Sequence, residues 1–177
     1  MDTKSVENYL NQFGKNIVSA AKKNLRTAKG STAIGNSIRF EVVPTSTGFS
    51  TKFYMLDYGE YLDKGVSGNK KKQSFENFKK QTQSSPYSYT TKQPPPDILS
   101  KWIKKKGIKG RDKKTGRFIS NLSLAFIIGR KIKRDGIKSL SFFQKPLGVY
   151  YNDLKDNLLK ELKFDIETYL TTFYRPK

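Results

Sequence analysis

The first long periodic stretch of the chain reads SVENYLNQFGKNIVSAAKKNLRT, from Ser5 to Thr27. Its apolar residues recur at intervals of three and four, the pattern of an amphipathic helix with one buried face. Gly30 is the predicted end of this helix, because glycine readily adopts the backbone conformation that follows a last turn. The fold depends on what covers the apolar face, whose members are Val6, Leu10, Phe13, Ile17, Ala20 or Ala21, Leu25 and Ala28.

Two later regions can supply that cover. The segments SIRFEVVP and FSTKFYMLD roughly alternate apolar and polar residues and are separated by TSTG, which predicts a β-hairpin from Ser37 to Asp57. Near the other end of the chain, helical periodicity returns and predicts a long amphipathic C-terminal helix. Its apolar positions are Val149, Tyr150, Leu154, Leu158, Leu162, Ile166, Tyr169 or Leu170, and Phe173.

Two shorter helices are predicted in the centre of the chain. PPPDILSKWIKKKG begins with three prolines, Pro94 to Pro96, which predict the entry to a short helix that ends at Gly107, with Asp97 able to accept amide hydrogen bonds of its first turn. Its apolar face consists of Ile98, Leu99, Trp102 and Ile103. The second helix should run from Asn121 to Arg134 and end at Asp135-Gly136. Its apolar residues, expected to be mostly buried, are Leu122, Leu124, Ala125, Phe126, Ile128 and Ile132.

The other segments carry weaker patterns. YGEYLDKGVSGNKKKQ has three glycines among aromatic and charged residues and predicts a loop or a strand that ends in one, while SLSFFQKPL predicts a further strand. Residues 69–92 have little apolar content and predict a long flexible excursion. The whole chain, residues 1–177, is therefore interpreted as a single α+β domain. In it, N-terminal and C-terminal amphipathic helices pack on a small antiparallel sheet, with two shorter central helices and a long basic loop.

Charge limits the functions that the chain can have. Thirty-five lysines and arginines against 15 acids give a formal charge of +20, far more than solubility requires, so a polyanionic partner is expected. No apolar run approaches the roughly 20 residues that span a bilayer, and the first residues do not resemble a signal peptide, so no membrane partner is expected. The chain has no cysteine and no histidine, which removes thiol nucleophiles and thiolate zinc sites together with the commonest general base and the commonest metal ligand. We therefore expect a protein that is not an enzyme, with no catalytic residues, no cofactor and no metal.

The candidate polyanion contact is the basic run after Trp102. Its cations are interpreted either as a contact with nucleic acid or an acidic partner or as an ordinary solvated surface: Lys104, Lys105, Lys106, Lys109, Arg111, Lys113, Lys114 and Arg117. The segment KGRDKKTGRF looks too polar and glycine-rich to hold a structure by itself. Aromatic residues interleaved with lysine could stack on single-stranded nucleic acid, but the favoured interpretation is that they anchor the long loop on the body of the protein or on a neighbouring subunit. The predicted subunit-contact residues are Phe75, Phe78, Tyr87, Tyr89 and Trp102.

Two other groups of residues have features of a functional site, one of a catalytic metal site and one of a nucleotide-binding loop. Asp57, Glu60 and Asp63 are close in sequence and would suit a metal-dependent nuclease if the loop folded back on itself, but their spacing matches no metal motif. GVSGNKKK has the glycines and lysines of a phosphate-binding loop without the spacing or the ending of a P-loop. For both segments an ordinary loop role is the favoured interpretation.

The order of these segments resembles the tail-completion and head–tail joining proteins of tailed bacteriophages. The resemblance rests on an aromatic-glycine element after the hairpin, a proline-led helix, and a helix that ends in Gly-Ile. The long lysine-rich excursion before Pro94 departs from the family pattern. The matching residues are Tyr58, Tyr61, Asp63 and Gly65; Pro95, Pro96, Leu99 and Trp102; and Ala125, Phe126, Ile128, Arg130, Ile132, Gly136 and Ile137.

This resemblance implies a structural virion protein, made in the host cytoplasm, that forms a homo-oligomeric ring in the phage neck or tail top. Its partners would be portal or connector proteins on the head side and tail proteins on the other, with non-specific contact to genomic DNA in the channel. The alternative is a basic nucleic-acid-binding protein that is not assembled in a ring.

Overall fold

The N-terminal helix, α1, runs from Lys4 to Thr27, as the periodic stretch predicts. A computed structural model describes residues 3–28 and 32–173, so the predicted stop at Gly30 lies outside the described residues. Of the two alanines that the pattern left open, Ala21 is fully buried and Ala20 is not. The other predicted positions up to Leu25 are buried as expected, whereas Ala28 is exposed.

The remaining elements follow α1 as helices and short strands. The helices are α2 (Thr32–Ser37), α3 (Tyr58–Lys64), α4 (Pro96–Lys106), α5 (Asn121–Asp135) and α6 (Gln144–Phe173). The strands are β1 (Arg39–Thr45), β2 (Gly48–Tyr54), β3 (Val66–Ser67), β4 (Ser74–Glu76), β5 (Thr82–Ser84) and β6 (Gly136–Ile137). They form three two-stranded sheets, β1-β2, β3-β6 and β4-β5. The predicted α+β class is confirmed.

The contacts of the chain divide it into two compact units. Unit 1 consists of Met1–Asp63, Glu76–Thr82 and Leu140–Lys177, and unit 2 of Lys64–Phe75 and Gln83–Ser139. Each unit is described by itself below. This division by contacts does not test whether the two units fold as one domain, so the single domain stays a prediction.

Unit 1 holds the larger core. α1 contacts both α6 and the antiparallel pair β1-β2, so the terminal helices and the predicted hairpin do pack together. The ring of Phe53 in β2 lies edge-on to that of Phe143, with centroids 5.3 Å apart. Gly14 lets α1 approach the hairpin closely, since a Cβ there would lie 2.2 Å from the Phe40 ring. The buried cluster consists of Phe13, Ile17, Ala21, Leu25, Ile34, Ile38, Phe142 and Phe143.

Two buried aspartates in unit 1 hold the starts of helices far away in sequence. Asp165, in α6, accepts hydrogen bonds from the backbone amides of Ser5 and Val6 at 3.3 and 3.2 Å. Asp63, near the end of α3, accepts from the amides of Phe143 and Gln144 at 2.8 and 3.4 Å. First-turn amides have no partner within their own helix, so these carboxylates act as caps supplied by other elements.

Unit 2 is built around the packing of α4 on α5. Ile103 of α4 and Ala125 of α5 are completely buried, and Gly129, which is also buried, lies on α5 beside Leu99 of α4. α4 ends at Gly107, which adopts a left-handed conformation with φ of 65°. Both central helices thus occupy nearly the predicted ranges, although no side chain caps α4 and Asp97 only lies in its first turn.

Residues 69–92 contain more structure than the predicted excursion. The amides of Asn69 and Lys70 donate to the carbonyls of Lys133 and Arg134 at the end of α5, where a helix leaves carbonyls unpaired. Gln73 donates its side-chain amide to the carbonyl of Asp135 at 2.7 Å. The segment also includes β4 and β5. Its mobility in solution stays a prediction.

Three local predictions were wrong. YGEYLDK forms helix α3 rather than a loop. Residues 139–147 form no strand, because the carboxylate of Asp63 starts α6 at Gln144 and the two adjacent phenylalanines are both buried. On α5, Leu122 and Phe126 are 48% and 46% exposed rather than buried, because the face that packs against α4 is narrow and centres on small residues such as Ala125.

Candidate nucleic-acid and assembly surfaces

The positive charge of the chain is concentrated in unit 2. That unit has 19 lysines and arginines against 3 acids, a formal charge of +16, whereas unit 1 has 16 against 12, a charge of +4. Opposed charges within unit 1 largely cancel, but those of unit 2 do not. Unit 2 is therefore the part of the chain that attracts polyanions most strongly.

All eight predicted contact cations are exposed. Lys104, Lys105 and Lys106 form the last turn of α4, where the helix dipole favours positive charge. The other five lie in the segment that follows: Lys109, Arg111, Lys113, Lys114 and Arg117. Their contact with DNA or an acidic partner stays a prediction.

Residues 109–118, called the basic hairpin below, form a closed turn, contrary to the expectation that this segment could not hold a structure by itself. Arg111 and Phe118 form an antiparallel bridge, and the amide of Asp112 donates to the carbonyl of Arg117 at 2.9 Å. Gly116 has φ of 70°, a conformation that glycine adopts without strain. The basic hairpin therefore presents its cations on an ordered backbone.

Asp112 organises this turn. Its Oδ1 accepts hydrogen bonds from the amides of Lys114 and Thr115 and from the Thr115 hydroxyl, at 2.9, 2.8 and 3.1 Å. Hydrogen bonds from Thr115 and from the Lys114 amide lower the pKa of Asp112. The signal in the sequence was the pattern Asp-x-x-Thr-Gly, in which a short acidic side chain closes a turn before a glycine.

The five predicted subunit-contact aromatics differ in how much of each is available. Phe75 is only 8% exposed and is packed within the chain. Phe78 is half-buried in unit 1, edge-on to Tyr151 at 5.1 Å. Tyr87 and Tyr89 are half-buried in unit 2, and burial raises the pKa of Tyr89. Trp102 is 44% exposed, which makes it the most available of the five; contact between subunits stays a prediction for all of them.

Unit 1 carries an open apolar groove that sequence reasoning did not find. It has a volume of about 660 Å³ and lies among α1, the tip of the β1-β2 hairpin and α6. Helical periodicity shows which apolar residues share a face but not whether that face is completely covered, so nothing in the pattern indicated a space there. The apolar residues that line it are Val6, Leu10, Phe13, Phe49, Phe53, Leu147, Tyr151, Leu154, Leu158 and Leu162.

The distal part of α6 continues this apolar surface. Asp165 meets the first turn of α1, and α6 then extends from residue 166 to 173, about 12 Å at 1.5 Å per residue. The spacing of three and four residues places a set of exposed apolar side chains on one face. This set, called the C-terminal stripe below, consists of Leu159, Leu162, Ile166, Tyr169 and Leu170, which are 37–55% exposed.

The acidic cluster that suggested a nuclease does not form a metal site. Asp63 is 2% exposed, and its carboxylate accepts the amide of Phe143, whereas Asp57 is exposed. Across residues 3–28 and 32–173, no group of three or more acids could hold a metal ion. In GVSGNKKK, Gly68 lies against the carbonyl of Arg134, with which a Cβ would clash at 2.2 Å. This glycine therefore serves close backbone packing.

Three comparisons with known proteins add no relative. No family model, no curated protein and no solved structure matches the chain. Within the described residues, no helix is long and apolar enough to cross a membrane. The resemblance to head–tail joining proteins therefore rests on the order and content of the sequence motifs alone.

Proposed function

We propose that this chain is a non-enzymatic structural subunit that assembles into a homo-oligomeric ring at the neck or tail top of a tailed-phage virion. The observation that carries the proposal is the pair of exposed apolar surfaces in unit 1, the groove and the C-terminal stripe. Apolar patches of this extent are typical of protein–protein contacts. The ordered resemblance of the motifs supplies the phage neck as the place of assembly.

The near-neutral charge of α6 favours a second copy of the chain as the occupant of the groove. Copies repel one another through unit 2, with its formal charge of +16. Helix α6 is nearly neutral, with four lysines and five acids over residues 144–173, so a neighbouring copy can approach it at little electrostatic cost. In this arrangement Ile166 and Leu170 of one copy insert into the groove of the next.

In the proposed ring this contact is heterologous: Ile166 and Leu170 of one copy lie in the groove of the next, and the stripe of that next copy lies in the groove of a third. Heterologous contacts close into rings when the rotation between copies permits it. In the proposed ring, the cations of unit 2 lower the electrostatic cost of DNA in the channel. Portal or connector proteins would lie on the head side and tail proteins on the other, and the chain, made in the host cytoplasm, would reside in the virion.

The test compares two substitutions on different faces of α6. Leu170→Glu places a charge in the C-terminal stripe, where the parent residue is 47% exposed, and Phe164→Glu places the same charge on the opposite face, where it is 59% exposed. We expect Leu170→Glu to weaken subunit association at least about tenfold, because a carboxylate in an apolar contact must be desolvated. Phe164→Glu should assemble like the parent.

Incorporation is measured in particles, since ring closure often needs a template. Particles made with each variant are assayed for the subunit, for joined heads and tails, and for retained genome. If particles without the chain remain joined and keep their DNA, the proposed function is wrong. If both variants are incorporated equally, the contact through the stripe is wrong.

A second candidate function is a basic nucleic-acid-binding protein that does not form a ring. The charge of unit 2 and the ordered basic hairpin favour it. A monomer retained on DNA in a salt-dependent manner, together with normal head–tail joining in its absence, would select this function.

A further inference from the structure

The basic hairpin combines a high density of positive charge with a fixed backbone. Residues 109–118 have five cations and one acid, and that acid, Asp112, places its Oδ1 in the turn with three hydrogen bonds from Lys114 and Thr115. A further backbone hydrogen bond joins the Ile119 amide to the Gly110 carbonyl at 3.1 Å. The backbone that carries the cations is therefore already ordered before a ligand binds, which lowers the conformational cost of binding.

An exposed aromatic ring lies beside these cations. Phe118 is 61% exposed, although an apolar ring gains free energy from burial. The Arg111 guanidinium carbon lies 4.4 Å from the centroid of the Phe118 ring, and the Lys109 ammonium nitrogen lies 5.9 Å from it. These distances are within the range of cation–π interactions, so the ring is positioned at the surface among positive charges.

We infer that the basic hairpin binds single-stranded nucleic acid, with its cations on the phosphates and the Phe118–Arg111 pair stacked against an unpaired base. Single strands are typically bound by positive charge together with aromatic rings on which bases stack. A duplex offers phosphates but keeps its bases paired, and an acidic protein surface offers no base, so neither makes use of the exposed ring.

This inference rests on the proposed function in placing DNA beside the chain, and it adds that the hairpin prefers an unpaired stretch or end. It does not require a ring. The experiment therefore uses the isolated full chain with an oligothymidine of about 20 nucleotides, a duplex of the same length and a polyglutamate peptide. Binding is followed by fluorescence anisotropy at several salt concentrations.

Two variants and two matched controls separate charge from stacking. The charge variant replaces Lys109, Arg111, Lys113, Lys114 and Arg117 with glutamine; its control replaces five exposed cations of unit 1 of the same composition, Lys15, Lys23, Arg26, Arg39 and Lys52. The stacking variant is Phe118→Leu, and its control is Phe126→Leu, at a ring 46% exposed on α5.

We expect the charge variant to bind oligothymidine at least about tenfold more weakly than its control, with a smaller log–log salt slope by about 0.7 per lost phosphate contact. Phe118→Leu should lose about tenfold on the single strand and little on the duplex, since stacking on a base contributes that much. Phe126→Leu should bind both like the parent.

Several results would overturn the inference. Equal losses in the charge variant and its control would show that the hairpin is not the site. An unchanged affinity of Phe118→Leu for oligothymidine would show that no base is stacked on the ring, and tighter binding of polyglutamate than of the single strand would show that the hairpin prefers an acidic protein surface. Any of these results leaves the ring open to its own test, because they are measured on the isolated chain.

Discussion

The two units of this chain achieve order in different ways. Unit 1 contains ten of the fourteen apolar residues that are buried within the described chain, and unit 2 contains only Val66, Phe75, Ile103 and Ala125. Unit 2 nevertheless carries most of the net charge. Burial of apolar area is the main source of stability in a domain, so unit 1 has the interior while unit 2 depends more on turns, close glycine contacts and backbone hydrogen bonds.

The comparison shows that most of the buried apolar residues and most of the net charge lie in different units of the chain. A strongly charged surface repels itself and lowers the stability of the compact state. In unit 2 that cost coincides with a small core, so single core residues there should be as important as those of unit 1. The predictions below test this comparison.

The largest effect is expected in the core of unit 1. Phe142 is 1% exposed, and its replacement by alanine should lower the free energy of unfolding by about 3–5 kcal/mol, because it leaves a cavity among buried side chains. Phe164→Ala is the control, since that ring is 59% exposed and should cost less than about 1 kcal/mol. Chemical denaturation of both variants measures the difference; similar midpoints would contradict the assigned core.

The next comparison lies within α4 of unit 2. Ile103 is fully buried, and Ile103→Ala should cost about 2–5 kcal/mol. Trp102 is 44% exposed, so Trp102→Ala should cost less, about 1–2 kcal/mol, despite the larger side chain. Hydrogen exchange of α4 and α5 amides reports the loss locally. The reverse order of the two effects would mean that the indole, and not Ile103, is the anchor of this helix pair.

A smaller effect separates a structural from a catalytic role for Asp63. Asp63→Ala leaves the buried amide of Phe143 without its acceptor and should cost about 1–3 kcal/mol. Asp57→Ala, at an exposed neighbour, should stay within about 0.5 kcal/mol of the parent. Thermal denaturation measures both. Magnesium-dependent DNA cleavage by the parent that disappears in Asp63→Ala would restore the nuclease interpretation.

The smallest effect concerns the cap that joins α1 to α6 and depends on pH. Burial alone would raise the pKa of Asp165, but hydrogen bonds from Ser5 and from the Val6 amide outweigh it, so the pKa lies below its usual value. A lowered pKa in the folded state gives stability that is present above the unfolded-state pKa, near 3.9, and is lost as the pH falls through the folded-state value. Asp165→Ala should therefore cost about 0.5–2 kcal/mol at neutral pH.

Denaturation of the parent and Asp165→Ala at neutral pH and at about pH 2 checks this linkage. The difference between the two proteins should shrink at the acidic pH, because the contribution of the carboxylate is lost as the pH falls through the lowered folded-state pKa of Asp165. A constant difference would assign the effect of Asp165 to packing and not to charge.

Sequence periodicity predicted the elements in which one apolar face recurs over several turns. α1, α4, α5 and most of α6 were found in this way, because side chains at intervals of three and four must share a face whatever covers them. The β1-β2 hairpin was found for the same reason, with a period of two.

Elements fixed by a single distant contact could not be read in the same way. The start of α6 depends on Asp63, about 80 residues earlier, and no local pattern announces such a partner. Helix α3 has only seven residues, so its apolar positions cannot repeat often enough to show a helical period. The exposure of Phe126 on α5 was also predicted wrongly. An apolar residue in a sequence pattern does not reveal whether its side chain packs against another element or lies in solvent.

The candidate sites also differ in whether the sequence alone could predict them. The basic cations were identified from composition, because an excess of charge is visible without a fold. The groove and the C-terminal stripe needed the structure, since they depend on how far α6 extends past the start of α1. The ordered turn of the basic hairpin could have been predicted from Asp112, Thr115 and Gly116. The overall polarity and glycine content of the segment instead predicted that it had no structure of its own.

The bond between Asp165 and the first turn of α1 also orders events during synthesis. Ser5 leaves the ribosome 160 residues ahead of its partner, which at 5–20 residues per second is a delay of roughly 8–30 seconds. During that interval the apolar face of α1 has no α6 to pack against, whereas α4 and α5 of unit 2 already have each other once Asp135 has emerged. A nascent chain stalled before residue 140 would thus leave the part of the α1 face that packs on α6 exposed to chaperones and proteases, and only chains that reach α6 can cover that part.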